Sequence, residues 1–441
     1  MQLSSEKKLP MKYPPKKQVN WPLLVILFLA ALLRFGGLSW CLPYSPHPDE
    51  WNMAAAITRL DWKGAFDPKF YAYGQFPLYL SYFSATLYNS LPWIKIQEIN
   101  IQEATFFLRF WSALAGVGTV YLVYLISKKL TPTTHPRHFD FAQCKLATHN
   151  PQLTPLLASL LAAFTPGLVQ ISHFGTTESF LSFFFLLALL LSFAILEKKR
   201  LKYYLFAGII LGLAIGTKIS GLLFAFPIFL VFLIQFLAVL KNENRLKNTG
   251  QLFLKNFVFL VSLVLLVLLS SPYLVLAFKA SRSTLLYETS VATGTSPVFY
   301  TRQFINTTPV LFQLQKIFPY ALGWPIFIFG TGGFLIALVC TLKKVALRKK
   351  LLPFDLNFCL LTFAFLTYFS FQAFLFCKWT RFIAPVLALF PIFSALTFNI
   401  IVLFLKSRKK FAYLLICLFI NHSRHHLLFC LFLPRHPFYC L

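Results

Sequence analysis

Acidic residues are scarce: Asp and Glu together number 13 in 441 positions, against 41 Lys and Arg. Only 12% of the chain is charged, 58% is hydrophobic and the mean hydropathy is +0.68. So little polar surface excludes a soluble globular domain and makes a bilayer the solvent. The net charge of +28 would suit nucleic acid if it covered one folded face, but the basic residues sit in short clusters between apolar runs, as topology signals do. No CxxC occurs among the cysteines at 41, 144, 340, 359, 377, 417, 430 and 440. That excludes a disulfide framework or zinc ribbon and leaves them as small apolar residues. The apolar run 21–40 lacks a small-x-small cleavage site and is long enough to span, so it is a retained anchor rather than a signal peptide. No internal repeat pairs the two halves of the chain, which weighs against the competing class, a polytopic transporter or lipid flippase.

What is present is a series of apolar segments. Those predicted to span are 21–40, 106–127, 154–172, 178–196, 203–216, 219–240, 257–278, 317–342, 356–376, 382–405 and 411–433. The segment 76–93 decides the topology. If it crossed, Lys128-Lys129, Lys198-Lys199-Arg200, Lys343-Lys344, Arg348-Lys349-Lys350 and Arg408-Lys409-Lys410 would all fall outside, against the positive-inside rule. Its aromatics, Tyr71, Tyr73, Tyr79, Tyr82, Tyr88 and Trp93, suit a helix lying in the headgroup layer instead. The expected architecture is all-α, a polytopic bundle of about 11 transmembrane helices by the usual length rule, with amphipathic helices in a large first outer loop. Residues 1–20 are expected as a basic cytoplasmic N-terminus, 41–103 and 279–316 as outer loops, 131–155 as an inserted cytoplasmic loop and 406–441 as a last helix and atypical tail. The His, Cys and Asp residues of the insert match no metal-ligand spacing, and the tail is assigned no chemistry.

In this arrangement the rare ionisable residues gather on the outer side, which in a plasma membrane faces away from the cytoplasm. Asp49-Glu50 follows the first span; His173, Thr177 and Glu178 lie between two spans, Lys218 between two more, Arg302 in the loop 279–316, and Lys378 with Arg381 before the span 382–405. A carrier places such groups near the midplane. Groups collected at one face suit an enzyme whose site opens at the membrane surface. Asp49 is the candidate catalytic carboxylate; the alternative is that Asp49 or Glu50 caps the helix that follows. Lys218, at the mouth of the short segment 203–216, is placed to meet a lipid phosphate, with snorkelling as its alternative. Gly208, Gly212 and Gly216 recur every fourth residue and read as a flat face for helix packing. Arg34 lies inside the first span, where an unpaired charge costs about 2.5–3.5 kcal/mol, so it is expected to face the interior and pair with Glu50 or Glu178.

These residues carry a family resemblance. Arg34, His47-Pro48-Asp49-Glu50 and Tyr73-Gly74-Gln75-Phe76-Pro77-Leu78-Tyr79 resemble the first outer loop of the GT-C-fold glycosyltransferases of the protein mannosyltransferase and aminoarabinose transferase type (family 39). Leu108-Arg109-Phe110, Ser172-His173-Phe174 through Thr177-Glu178, Gly212-Leu213-Ala214 through Gly216-Thr217-Lys218, Tyr300-Thr301-Arg302, and Arg381-Phe382 through Pro385 are similar to further motifs of that family, in the same order. Glu178 stands where Asp is usual, and Phe382 where Tyr is usual.

The resemblance implies a GT-C-like transmembrane catalytic domain over 21–405 that transfers a hexosyl or pentosyl unit. The donor would be a polyprenyl-phosphate sugar, and the acceptor a protein, lipid or glycan on the outer face. Asp49 would be the general base. Lys218, then Arg381 and Arg302, would stabilise the leaving phosphate, with Arg34, Glu50, His173 and Glu178 completing the substrate-binding set. Glu50 is also expected to order the helix after it. No metal cofactor and no nucleic acid partner are expected; Glu178 or His173 holding a divalent ion with Asp49 is the minor alternative.

Overall fold

The computed structural model describes residues 20–62, 66–92, 98–131, 152–241, 245–346 and 353–406. The N-terminal lysines, Trp93, most of the predicted insert, the basic clusters at 348–350 and 408–410 and the span predicted at 411–433 lie outside the described residues. Among the described residues every regular element is helical.

Helix α1 (Trp21–Phe35) opens at Asn20, whose side chain accepts the Leu23 N–H at 3.3 Å. Two short helices follow, α2 (Pro48–Ile57) and α3 (Phe76–Asn89). Among the described residues α3 is neither long enough to count as a span nor one of the shorter apolar helices. Instead α2 and α3 fold onto the first half of α4 (Ile101–Lys129), sharing an apolar cluster that includes Met53, Ile57, Leu78, Tyr82 and Leu108.

Around α4 pack α1, α5 (Leu153–Phe164), α6 (Pro166–His173) and α7 (Glu178–Lys198). The α5–α6 pair bends by 53° at Thr165-Pro166, where proline has no N–H to continue the ladder. Helix α7 is the innermost: 72% of its most apolar stretch is buried inside the protein. Next come α8 (Leu201–Thr217), a 3-10 turn at Ile219–Phe224, α9 (Ala225–Leu240) and α10 (Arg245–Ser270). The apolar stretch of α10 is only 11% buried, so it faces lipid on most sides and meets the bundle through α8. A Cβ on Gly208 would lie 2.0 Å from Ser262 Oγ, and one on Gly216 2.0 Å from Ser270 Oγ. The glycine stripe is therefore a contact face for α10, which is the packing reading.

Two boundaries differ from the hydropathy reading. The span predicted at 257–278 runs as α10 from Arg245 and stops at Ser270, because Pro272 cannot continue it. The stretch 279–316 is not simply a loop. After α11 (Tyr273–Leu276) it carries α12 (Phe278–Thr293) and a 3-10 turn at Phe299–Phe304. The rest is α13 (Phe318–Leu322), α14 (Trp324–Ala346), α15 (Pro353–Ala373), α16 (Ala384–Leu387) and α17 (Phe390–Lys406).

Among the described residues 6 helices are long and apolar enough to cross a membrane, or up to 8 if each bent pair is one crossing, while α1 and α8 are apolar but shorter. Together these match the predicted spans in order up to 382–405. The chain is an integral membrane protein. At the end of the bundle where α4 and α7 finish, Lys129 pairs with Glu197 at 2.5 Å and Asn357 donates to the same carboxylate at 2.9 Å. The candidate site occupies the other end.

Candidate active site

Helix α2 begins at Pro48, where a missing N–H is no loss, and the His47 Nδ1 accepts the Asp49 N–H at 3.2 Å. The cap is therefore His47, and neither Asp49 nor Glu50 is spent on it. Burial pulls the His47 imidazole below its ordinary range, which keeps it a neutral acceptor at pH 7.

The two adjacent acids then part company. Glu50 is fully buried and bound by Arg109 in a fork, Nε to Oε1 at 2.8 Å and Nη2 to Oε2 at 2.7 Å. It also accepts from the Gly175 N–H at 2.6 Å and the Ser45 hydroxyl at 2.9 Å. Arg109 spends its remaining reach on the Leu38 and Trp40 carbonyls. Glu50 was expected among the substrate-binding residues; with its oxygens occupied and no exposure, it instead locks the first loop to α4 and to the turn before α7. Asp49 is partly exposed and faces the opposite way. Its Oδ2 receives the Tyr73 hydroxyl at 2.8 Å and forms an ion pair with Arg381 Nη1. Burial, and then the Asp49 carboxylate, push the Tyr73 hydroxyl well above its ordinary range, so it is a neutral donor at pH 7.

A second ion pair lies beside the first. Glu178, in the first turn of α7, receives Lys218 Nζ at 3.2 Å and the Thr177 hydroxyl at 3.2 Å. Lys218 occupies the extended break between α8 and the next 3-10 turn, and its ammonium stands 4.6 Å from the Tyr73 ring centroid and 5.5 Å from that of Phe382. Aromatic faces at these distances favour a cation. Gly74 explains how Tyr73 gets there. Its N–H donates to the Thr217 carbonyl at 3.0 Å, and a Cβ on it would lie 2.0 Å from the Gly216 carbonyl oxygen, so the two backbones pass in direct contact. Arg381 arrives on a 3-10 turn, Thr380–Ile383, and its buried Nε has no hydrogen-bond partner among the described residues.

Asp49, Glu178, Lys218 and Arg381 therefore converge, whereas other expected members do not. Arg34 is fully buried but pairs with neither Glu50 nor Glu178; it donates to the carbonyls of Ala30, Ala162 and Ala163 at 3.1–3.3 Å. The bend at Thr165 leaves the last carbonyls of α5 free for it, which is the physical reason for the correction. His173 sits between the Val169 and Gly36 carbonyls, at 3.0 and 3.1 Å. Arg302 is exposed on its turn, outside the two ion pairs. Lys378 Nζ is turned onto the Phe376 carbonyl at 3.1 Å. Among the described residues no group of three His, Cys, Asp or Glu is placed to hold a metal ion.

In the sequence Tyr73 and Arg109 appear within the family-like motifs and Tyr73 also among the interfacial aromatics, but neither is given a role in the site. Arg109 was detectable, since an arginine inside a predicted span raises the same question as Arg34. The Tyr73 hydroxyl carries no such signal. Chemically, the site offers a carboxylate held by exchangeable donors beside two cations. An entering anion can take over the cations, and the carboxylate then becomes available to accept a proton.

A family model described as dolichyl-phosphate-mannose-protein mannosyltransferase matches residues 149–276, the stretch with Glu178 and Lys218. The protein YkcB of Bacillus subtilis (strain 168) is 30% identical over 146 residues, which is 32% of this chain and 18% of that protein. The oligosaccharyltransferase of Archaeoglobus fulgidus in the apo form superimposes with a TM-score of 0.53 at 16% identity, covering 91% of this chain and 52% of its own. ArnT from Cupriavidus metallidurans in the apo state does so with a TM-score of 0.50 at 14% identity, covering 85% and 59%. The fold is GT-C. The chain spans a little over half the length of these two GT-C structures and under a fifth of YkcB. The resemblance read from the motifs is borne out by the GT-C bundle, and at one end of it the Asp49, Glu178 and Lys218 motifs meet.

Proposed function

We propose that this protein is a membrane glycosyltransferase that moves a sugar from a polyprenyl-phosphate donor to an acceptor hydroxyl or amine, with Asp49 as general base. The observation that carries this reading is the convergence of Asp49–Arg381 and Glu178–Lys218, brought from four separate elements to one end of an apolar bundle. The description of the matching family model, which names a lipid-phosphate sugar, supports the donor class. Lys128-Lys129 and Lys198 lie at the far end of α4 and α7, which supports an outer-face site in the plasma membrane with a cytoplasmic N-terminus.

In this mechanism the acceptor oxygen or nitrogen attacks the anomeric carbon as Asp49 takes its proton, and the bond from that carbon to the phosphate oxygen breaks with inversion. The leaving lipid phosphate gains a negative charge. Lys218 and Arg381 stabilise that charge as fixed cations already aimed at the site, which costs no reorganisation at the moment of reaction. Tyr73, kept neutral, holds the carboxylate in place through its hydroxyl.

The test incubates reconstituted protein with a panel of radiolabelled polyprenyl-phosphate sugars and membrane acceptors, with Asp49→Asn as control. Label should leave the lipid only with the wild-type protein. If no donor in the panel is consumed, or the variant matches wild type, the reading fails.

A further inference from the structure

The scheme above leaves one carboxylate beside the cluster without a task. Glu288 lies on α12, one turn before Val291 and so on the same helix face. Val291 is buried with Phe304 and Cys377, and Phe376, Trp379 and Phe382 pack on that group. The Cys377 N–H also donates to the Ala292 carbonyl at 3.1 Å, and the Cys377 thiol contacts the Val291 carbonyl at 3.2 Å. Helix α12 is thus fastened to the segment that delivers Arg381, and Glu288 lies one turn from that attachment. Its carboxylate is within electrostatic reach of Asp49, Lys218 and Arg381, and Tyr300, from the same stretch, feels both Glu288 and Asp49. Glu288 nevertheless forms no ion pair among the described residues, because Arg381 and Lys218 are matched to Asp49 and Glu178. It remains exposed.

A carboxylate offers only acceptor sites and a negative charge. Placed beside the site, it repels an anionic lipid phosphate and attracts a group that brings hydrogens. We infer that Glu288 binds the acceptor substrate, receiving a hydrogen bond from its hydroxyl or ammonium group and holding the nucleophile over Asp49. The inference rests on the glycosyltransferase reading and adds the side from which the acceptor comes, beneath α12. Desolvation and the neighbouring Asp49 charge raise the Glu288 carboxyl above its ordinary range, so acceptor binding should weaken as pH falls into the upper carboxylate range.

The experiment uses the full chain in liposomes with radiolabelled undecaprenyl-phosphate mannose and two acceptors, a threonine-containing peptide and an alkyl glycoside. Glu288→Gln should raise the acceptor KM about tenfold, as loss of one charge-assisted contact does, with the donor KM within about twofold of wild type. Glu288→Asp should recover part of the loss, and the acid limb of kcat/KM for the acceptor should shift only in the Gln variant. Equal changes in both KM values would show a general structural effect, and unchanged acceptor kinetics would show no contact; either outcome overturns the inference while the transferase reading stands. Absence of transfer by the wild-type protein from every polyprenyl-phosphate sugar would overturn both.

Discussion

Arg381 crosses 332 positions of chain to pair with the Asp49 carboxylate, on the same oxygen that receives the Tyr73 hydroxyl. A carboxylate so engaged is positioned but not free, and its release is coupled to whatever anion draws Arg381 away. Asp49→Asn keeps the shape and the Tyr73 contact yet removes the proton acceptor. Transfer should fall by about 10²–10⁴, the usual contribution of a general base, with insertion intact and a melting temperature lowered less than in Glu50→Gln below, because the Asp49–Arg381 pair is partly exposed. Normal turnover by the purified variant would remove Asp49 from this role.

Lys218→Ala confounds two effects. It removes a phosphate contact and also strands Glu178, which is 3% exposed; an orphaned buried charge costs about 3–5 kcal/mol. The double variant Lys218→Met with Glu178→Gln separates them. Thermal stability in detergent should return towards wild type while the donor KM stays raised. If donor kinetics recover along with stability, Lys218 has only a structural role.

Glu50 and Arg109 are both fully buried, so Glu50→Gln should behave as a stability variant. The loss should be about 3–5 kcal/mol, the range for breaking a buried pair, seen as a lower melting temperature and less protein in the membrane. Activity per folded molecule should fall far less than in Asp49→Asn. A large drop in kcat at unchanged stability would return Glu50 to the substrate.

His47 gives a pH signature. Its folded-state pKa is depressed by burial, so the unfolded chain binds protons more readily between that value and about 6.5. The stability it contributes is therefore full above about 6.5 and is lost as pH falls through the folded value. Wild-type melting temperature should drop more steeply from pH 7 towards pH 5 than that of His47→Asn, whose side chain still caps α2 without titrating. Parallel curves for the two proteins would refute the assignment.

Much of the fold was legible because hydropathy and helix length are local properties. The order of spans, the non-crossing α3 and the glycine face on α8 all followed from them. The end of α10 was misread because apolar residues continue past Pro272, and hydropathy does not register a missing N–H. Within the site, sequence order placed Asp49, Glu178, Lys218 and Arg381, but their pairing depends on contacts between distant segments. Arg34 shows the same limit: burial was foreseeable, yet its partners are carbonyls freed by a bend in another helix, which no side-chain count reveals. Arg302 failed for the opposite reason, since its turn orients Thr301 inward and leaves the neighbouring guanidinium outside.

The two ion pairs also determine how a lipid headgroup is greeted. Their charges cancel, so capture depends little on long-range attraction, and added salt should slow donor entry only weakly. On the proposed mechanism, Asp49 stays occupied until a phosphate claims the guanidinium. The base is thereby held in reserve in the idle molecule and freed only when a donor headgroup is seated.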